Sequence, residues 1–428
     1  MDILLKNVLA VDSIEGFEKL TDIAVNDGRI TKISQDISDS ADIVIDGKGK
    51  LMVCPGLFDM HVHLRDPGFT HKEDIKSGTA SAAAGGFTAV ACMPNTNPQI
   101  DNVETIEYIL NKAKATGVDV YPVGCITEGM KGEQLCDFIA LKNAGAVAVS
   151  DDGRPVKNAE LMRQALELSK DNGLTVISHC EDMDIIGKGI VNKGKISEIL
   201  GVAGMDRASE DYITAREIAL AASCDAHIHI AHVSTKGAVE FIRDAKKNGY
   251  KVTAETCPHY FTYTEEKLLG RDADYRMNPP LRTETDRKAI LEAVLDGTID
   301  CIVTDHAPHT KEEKENFEKA PNGVVGLETS LSATLTKLYF TKKASLTDIV
   351  KLMSENPRRI LNLSPVSLKE GSIADLTVID LDCVWTVDHR KLVSKSKNSV
   401  FKNEKLRGKV LYTISKGKII FNNEKLKG

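Results

Sequence analysis

The middle of the chain, roughly residues 54–362, alternates short apolar runs with helix-like stretches. In chain order the runs are Met52–Met60, Thr88–Met93, Val118–Cys125, Ala146–Ser150, Leu174–Ser178, Ala226–Ala231, Lys251–Thr256 and Asp300–Thr304. The clearest helical patterns between them cover Glu160–Asp171, Ser209–Ala222, Lys236–Asn248 and Thr285–Asp296. Eight strand–helix units in roughly 300 residues predict a closed, TIM-like (β/α)8 barrel. An open doubly wound sheet is the rival, but no glycine-rich fingerprint follows the first run.

Both ends of the chain show a different pattern, with short strand-like runs and tight turns. Residues 1–53 contain Asn26-Asp27-Gly28, which is typical of a β-hairpin turn. Residues 363–428 contain further strand-like runs, with Gly417 between the last two. We therefore predict that residues 1–53 and 363–428 form one small β-sandwich domain built from both termini. Residues 54–362 would form the barrel domain.

Composition narrows the class of protein. The chain is 42% hydrophobic and 27% charged, with a formal net charge of −7, which is typical of a globular enzyme and argues against nucleic-acid binding. No stretch is typical of a signal peptide or a membrane span. The nine cysteines include no C-x-x-C pair and several lie in apolar runs, which favours reduced thiols in a cytoplasmic protein.

Metal-ligand residues stand at the ends of five of the eight apolar runs. His61 and His63 end the first run and, two apart on a strand, project from the same face. Barrel enzymes keep their chemistry at the carboxyl ends of their strands, so later strand ends would add ligands at one mouth. These are the pair Asp151-Asp152, His179, His232 and Asp305. A mixed set of nitrogen and oxygen donors predicts a site for Zn²⁺ or a similar ion, and strand parity leaves Asp151 and Asp152 as alternatives.

This order of ligands resembles the amidohydrolase superfamily and, more narrowly, the bacterial class I dihydroorotases. The pairing of the motifs HLRDPG and MPNTNP is the specific part of the resemblance, which extends over essentially the whole chain. The matching stretches are Pro55–Gly68, Gly85–Pro98, Ser150–Gly153, Ser178–Glu181, Met277–Arg282, Thr304–His309, Lys319–Thr329 and Lys369–Asp380.

The resemblance implies a metal centre of one or two zinc ions, with two favoured. His61 and His63 would hold one ion, His179 and His232 a second, and an acidic residue would bridge them. The class I pattern points to Asp152 as the bridge, where many relatives carry a carbamylated lysine. This departure argues against a hydantoinase-like or allantoinase-like protein. Asp305 would be both a ligand and the general base.

The resemblance also implies a site for an anionic cyclic substrate. Arg65 would bind its carboxylate, unless the guanidinium instead pairs with the adjacent Asp66. The charged loop Pro308–Gly326 resembles a mobile loop over the site, although a static surface excursion would have the same sequence. The residues predicted to contact substrate are His63, Arg65, Asn95, Asn278, His309, Asn322 and Gly323.

The implied activity is the reversible cyclisation of N-carbamoyl-L-aspartate to dihydroorotate and water, a step of de novo pyrimidine (UMP) biosynthesis. One alternative is another cyclic amidase of hydantoinase or allantoinase type, which would not need Arg65 and Asn95 as a carboxylate clamp. A second is an inactive relative that acts as a scaffold, against which the complete ligand set argues. A homo-oligomer, most simply a dimer, and an association with aspartate carbamoyltransferase are implied by the resemblance alone.

Overall fold

The computed structural model describes residues 2–423, which form two large β-sheets and a layer of helices. In chain order the strands are β1 (Ile3–Asp12), β2 (Phe17–Asn26), β3 (Arg29–Ser34), β4 (Ile43–Asp46), β5 (Leu51–Pro55), β6 (Leu57–Val62), β7 (Phe87–Cys92), β8 (Asp119–Gly124), β9 (Ala148–Val149), β10 (Thr175–Ser178), β11 (Val191–Asn192), β12 (Gly204–Met205), β13 (Ile228–Ile230), β14 (Val252–Thr256), β15 (Cys301–Ile302), β16 (Leu376–Thr386), β17 (Lys405–Ser415) and β18 (Lys418–Asn422).

The first sheet is composite and joins the two ends of the chain. Its strands run in the order β18-β17-β16-β5-β1-β2-β3, with β4 paired to β1. The β2–β3 hairpin turns at Asp27 and Gly28, both with positive φ, as the Asn-Asp-Gly signal predicts. A Cβ on Gly417, in the β17–β18 turn, would lie 2.6 Å from Gly28 Cα. The N-terminal and C-terminal hairpins therefore pack directly against each other.

The second sheet is the predicted parallel barrel, with strand order β6-β7-β8-β9-β10-β13-β14-β15. It closes between its first and last strands, where Val62 bridges His306 and the His63 N–H donates to the His306 carbonyl oxygen at 2.8 Å. Closure brings the carboxyl ends of all eight strands around one mouth.

Helices cover the outside of the barrel and follow the predicted periodic stretches to within one or two residues. In α4, for example, Asn158 caps the first turn, Gly173 ends the helix with a φ of 62°, and Met162, Ala165 and Leu166 are buried. The helices are α1 (Ile75–Ala84), α2 (Val103–Ala113), α3 (Phe138–Ala144), α4 (Ala159–Asn172), α5 (Met183–Ile186), α6 (Lys195–Leu200), α7 (Ala208–Ser223), α8 (Lys236–Lys247), α9 (Pro258–Thr262), α10 (Glu284–Leu295), α11 (Leu327–Thr334), α12 (Leu346–Val350) and α13 (Asn356–Ile360).

One predicted strand proves to be two. The apolar run Met52–Met60 is divided at Gly56: β5 pairs with β1 and β16 in the composite sheet, and β6 is the first strand of the barrel. Residues 54 and 55 thus belong to a strand of the composite sheet, although the sequence grouped them with the barrel. A Cβ on Gly56 would lie 2.2 Å from Thr88 Oγ1, so the crossing between the sheets has no room for a side chain.

Among residues 2–423, no helix combines the length and the low polarity needed to cross a lipid bilayer.

Candidate active site

The barrel mouth holds a cavity of about 230 Å³ in which nearly all of the predicted site residues meet. His61 lies just behind it, fully buried, and every other predicted residue lines the cavity. The lining residues are His63, Arg65, Asn95, Asp152, Gly153, His179, His232, Asn278, Asp305, Ala307, His309, Asn322 and Gly323.

Asp152 lies at the centre of the histidine cluster. Its Oδ1 is 3.5 Å from His61 Nε2, 3.3 Å from His179 Nδ1 and 3.7 Å from His232 Nε2. Its Oδ2 is 3.6 Å from His63 Nε2. The carboxylate therefore faces both histidine pairs, as a bridging ligand must.

The neighbouring Asp151 has a different environment. Its Oδ1 accepts the backbone N–H groups of Ile126 (2.8 Å) and Thr127 (3.1 Å), and its Oδ2 accepts the Thr127 hydroxyl. Burial raises the pKa of Asp151 to about 6. Because these contacts tie Asp151 to the end of β8, Asp152 is the aspartate of the pair that faces the cavity.

Asp305 completes the cluster from the end of the last barrel strand. Its Oδ1 lies 3.0 Å from His63 Nε2 and 3.8 Å from His61 Nε2. On the other side, His179 Nδ1 is 2.8 Å from His232 Nε2. The six predicted ligands thus converge on one small volume, although they are spread over 245 positions of the sequence.

The chemistry of this cluster fits a divalent cation. His61 Nε2 and Asp152 Oδ1 are buried without a hydrogen-bond partner among the described residues, and both point into the cluster. Burial alone would lower the pKa of His61, but Glu255, Asp152 and Asp305 outweigh it and raise the pKa to about 10. The carboxylates thus favour positive charge in the cluster, and the nitrogen and oxygen donors suit Zn²⁺.

Three residues of the site have backbone conformations that side chains other than glycine rarely adopt. The φ angles of Arg65, His232 and Asp305 are 60°, 30° and 46°. Each residue follows a barrel strand, where the chain turns sharply and its side chain is directed into the mouth. Such strained positions concentrate at functional sites.

Glu255, in β14, is a supporting residue that the sequence analysis missed. Its Oε1 is 2.5 Å from His61 Nδ1 and its Oε2 is 3.1 Å from His229 Nε2, with all three side chains fully buried. A carboxylate on the outer nitrogen of a ligating histidine fixes the ring and its tautomer. The sequence offers one sign of this role, since Glu255 is a charged residue inside the apolar run Lys251–Thr256.

Strict strand alternation counted back from His232 predicts that His229, three residues earlier, faces the helices, but His229 lies inside the barrel beside Glu255, so this prediction is wrong. Its Nδ1 is 2.8 Å from Thr253 Oγ1, which also contacts His227 Nε2 at 2.8 Å. The parity argument assumed a regular strand through His232, but β13 ends at Ile230 and His232 has a positive φ. Strict alternation does not continue past such a turn.

The Glu255→Gln variant is expected to bind zinc about 10- to 100-fold more weakly, because a neutral amide no longer anchors His61 and His229 as a carboxylate does. Zinc competition against a chromophoric chelator measures the affinity directly. The matched control is Glu265→Gln, since Glu265 is also buried but hydrogen-bonds to Asn192 away from the cluster. Equal zinc affinities of Glu255→Gln and the parent protein would contradict this role.

Arg65 provides a cation at the cavity and does not pair with its neighbour Asp66. Its Nε donates to the Pro308 carbonyl oxygen at 3.3 Å. Asp66 instead binds Lys112 Nζ at 2.8 Å and the Tyr108 hydroxyl at 2.8 Å. The alternative in which the guanidinium forms a structural link with Asp66 is therefore wrong.

Two asparagines line the cavity and contact the cluster. Asn95 Oδ1 is 2.8 Å from His63 Nδ1, and its Nδ2 donates to Asp152 Oδ2 at 3.2 Å. Asn278 Nδ2 donates to Glu181 Oε2 at 3.1 Å, and its Oδ1 is buried without a hydrogen-bond partner among the described residues. Glu181 in turn lies 3.2 Å from His179 Nε2, so it supports His179 much as Glu255 supports His61.

The loop Pro308–Gly326 covers the cavity with His309, Asn322 and Gly323. His309 Nε2 is 3.0 Å from the Asn322 carbonyl oxygen and 3.4 Å from an Arg65 terminal nitrogen. Burial and the cations Arg65 and Lys72 lower the pKa of His309 to about 3, so its ring is neutral near pH 7. The loop adds no further positive charge to the cavity, and Arg65 remains its anion-binding group.

The sequence and structure of this protein resemble those of cyclic amide hydrolases. Residues 49–238 match the family model described as Dihydro-orotase-like. A dihydroorotase of Geobacter metallireducens is 50% identical over 424 residues, covering 98% of this chain and 100% of that protein. A dihydroorotase of Geobacter sp. (strain M21) is 49% identical over 423 residues, covering 98% and 99%. The solved L-hydantoinase (dihydropyrimidinase) of Arthrobacter aurescens superposes with a TM-score of 0.87 at 27% identity, covering 98% of this chain and 95% of that one. The chain belongs to the dihydroorotase family.

Proposed function

We propose that this protein catalyses the reversible cyclisation of N-carbamoyl-L-aspartate to dihydroorotate and water in de novo pyrimidine biosynthesis, with zinc as its cofactor. The observation that carries the proposal is the position of Arg65. Its guanidinium lines the same cavity as Asp152 and Asp305 and is not neutralised by Asp66. An amidase for neutral rings has no need of a cation there.

Two zinc ions account for the donors best. His61 and His63 would hold one, His179 and His232 the other, with Asp152 facing both pairs and Asp305 beside His63. When bound, the metal lowers the pKa of water and polarises the carbonyl under attack.

Asp305 is the proposed general base. Its pKa is lowered despite burial because His63 and His61 lie beside it, so Asp305 is ionised at neutral pH, as a general base must be. In hydrolysis it takes the proton of the attacking water and delivers it to the leaving ring nitrogen. In cyclisation it removes the proton from the attacking carbamoyl nitrogen.

Arg65 is the proposed anchor for the substrate carboxylate that does not react. A guanidinium can donate two parallel hydrogen bonds to a carboxylate, which fixes both the position and the orientation of the ring. Asn95, Asn278 and His309 line the same cavity and would add neutral donors and acceptors around the ring. The Asn322–Gly323 backbone would close over it.

The reaction predicts a pH-dependent equilibrium. Cyclisation converts two carboxylates into one and consumes a proton, so low pH favours dihydroorotate and high pH favours N-carbamoyl-L-aspartate. The equilibrium ratio is expected to change about tenfold per pH unit between roughly pH 6 and 9. Chromatography of reactions run to equilibrium from both sides measures it, and a ratio that stays flat with pH would exclude this reaction.

The decisive test of the function combines metal analysis with an assay. Purified protein should contain about two zinc ions per chain, by the stoichiometry of the donor set, and should hydrolyse dihydroorotate. Chelation should abolish activity and zinc should restore it. Hydrolysis of dihydrouracil or hydantoin in preference to dihydroorotate would favour the rival cyclic-amidase function.

The same family resemblance bears on the domain boundaries, the oligomeric state and the cellular location of the protein. We propose two domains: a catalytic barrel that starts at Gly56 and extends to about residue 362, and an accessory β domain formed by the chain before Gly56 and the chain from residue 363 onward. The family resemblance supports a homodimer and an association with aspartate carbamoyltransferase. Light scattering of this protein alone tests the dimer, and light scattering of its mixture with aspartate carbamoyltransferase tests the association.

All nine cysteines are free thiols, which supports a cytoplasmic location.

A further inference from the structure

Lys314, in the loop over the cavity, is a buried lysine bonded to backbone carbonyl groups. It is 8% exposed, whereas Lys311, three residues earlier, is exposed. Its Nζ donates to the carbonyl oxygens of Arg276 at 3.1 Å, Pro321 at 3.0 Å and Gly323 at 3.0 Å. An ammonium group has three donors, and here each of them is used by one carbonyl oxygen.

The three carbonyl groups belong to the two segments that carry predicted substrate contacts. Arg276 lies two residues before Asn278, and Pro321 and Gly323 flank Asn322. The Gly323 N–H also donates to the Arg276 carbonyl oxygen at 3.0 Å. Lys314 therefore joins the wall of the cavity to the part of the loop that closes over it.

A second contact to the same carbonyl group reaches the loop from the C-terminal part of the chain. Asn398 Nδ2 donates to the Gly323 carbonyl oxygen at 3.0 Å, and Asn398 Oδ1 accepts the His309 N–H at 3.3 Å. The space around Gly323 is also filled, since a Cβ there would lie 2.7 Å from the Ala307 carbonyl oxygen. Lys314 and Asn398 thus fix Gly323 from two sides.

Because Lys314 is buried, the loss of its hydrogen bonds would destabilise the closed position of the loop. A nonpolar side chain of the same length would leave the Pro321 carbonyl group without this donor and the Arg276 carbonyl group with only the Gly323 N–H. Burying an unpaired carbonyl group destabilises the arrangement that buries it. The arrangement lost would be the closed position of the loop, because the other end of the contact is the fixed wall of the barrel.

We propose that Lys314 is a positioning residue that holds the Pro321–Gly323 backbone closed over the cavity and thereby sets the affinity for substrate. This inference rests on the proposed function, because it takes dihydroorotate as the ligand of the cavity. Lys314 does not contact the six metal ligands, so its effect should fall on binding and leave the chemical step nearly unchanged. If only a fraction of molecules has the loop closed, the apparent dissociation constant rises by the inverse of that fraction.

The test compares Lys314→Met with Lys311→Met, two lysine-to-methionine changes three residues apart in one loop. With zinc-loaded enzyme and dihydroorotate, Lys314→Met is expected to raise KM by about tenfold or more with kcat within about threefold of the parent, as a smaller closed fraction requires. Lys311→Met should leave both constants unchanged. An unchanged KM for Lys314→Met, a loss confined to kcat, or the same rise for Lys311→Met would overturn the proposal. A parent enzyme that lacks activity on dihydroorotate would instead refute the proposed function.

Two further measurements keep the proposal testable if Lys314→Met does not fold. Hydrogen exchange of the zinc-loaded parent without substrate should show slow exchange at Gly323 and fast exchange at the exposed Glu312. Equally fast exchange at both would overturn the proposal. Asn398→Ala, which removes the second donor to Gly323, should also raise KM more than kcat falls, and a parent-like KM would count against the closed loop as the determinant of affinity.

Discussion

The Asp305→Asn variant is expected to lose about 10²- to 10⁴-fold in kcat for dihydroorotate hydrolysis, the range that a positioned general base contributes. The asparagine keeps an oxygen at almost the same place but has no basic site to accept the proton of water. Asp305 also lies 3.0 Å from His63, so the loss of its charge will weaken the cluster as well. Steady-state kinetics on zinc-saturated protein measures the effect on the chemical step.

The control for this variant separates proton transfer from metal loss. Zinc content is measured on the same samples, and kinetics are compared only at equal occupancy. Asp151→Asn is a useful second variant, since Asp151 is a buried aspartate next to the site whose contacts are to Ile126 and Thr127. Its substitution should lower the unfolding temperature of the protein but leave kcat nearly unchanged. An Asp305→Asn enzyme with full zinc content and at least a tenth of the parent kcat would contradict the role of general base.

The barrel and the convergence of the candidate metal ligands were predictable because both depend on local patterns of the sequence. Strand-like runs alternating with helical periodicity determine the fold class, and closed barrels place strand ends at one mouth. The sequence alone therefore places His61, His179 and Asp305 together at the barrel mouth. The same reasoning predicts the α4 and α8 boundaries to within one or two residues, because capping residues and apolar periodicity coincide there.

What the sequence missed depends on contacts between distant segments. Gly56 divides a continuous apolar run because Thr88, from the next strand, leaves no room for a side chain. Glu255 supports His61 from a strand 194 positions away. Strand parity left Asp151 and Asp152 as alternatives, and the choice of Asp152 came from the family resemblance alone. The physical reason for it, two backbone amides that bind Asp151, is one that no spacing rule reveals. Parity failed at His229 because the chain turns at His232.

The Arg65→Met variant is expected to reduce kcat/KM for dihydroorotate by about 10²- to 10³-fold, which corresponds to about 3–4 kcal/mol for a charge-assisted pair inside a cavity. Methionine retains much of the volume and removes only the donors and the charge. Dihydrouracil, the same ring without the carboxylate, provides the internal comparison. The parent enzyme should prefer dihydroorotate strongly, and the preference should shrink in the variant because only the charged substrate loses an interaction.

A matched control tests whether another cation near the cavity could bind the substrate carboxylate in place of Arg65. Lys72 Nζ lies 3.4 Å from His309 Nδ1 and pairs with Glu313 at 2.8 Å, so its charge is already neutralised and it does not line the cavity. Lys72→Met should therefore leave the preference for dihydroorotate over dihydrouracil nearly unchanged. If Arg65→Met lowered kcat/KM equally for both rings, the guanidinium would be acting on the shape of the site. The carboxylate clamp, and with it the assignment of an acidic ring as substrate, would then be wrong.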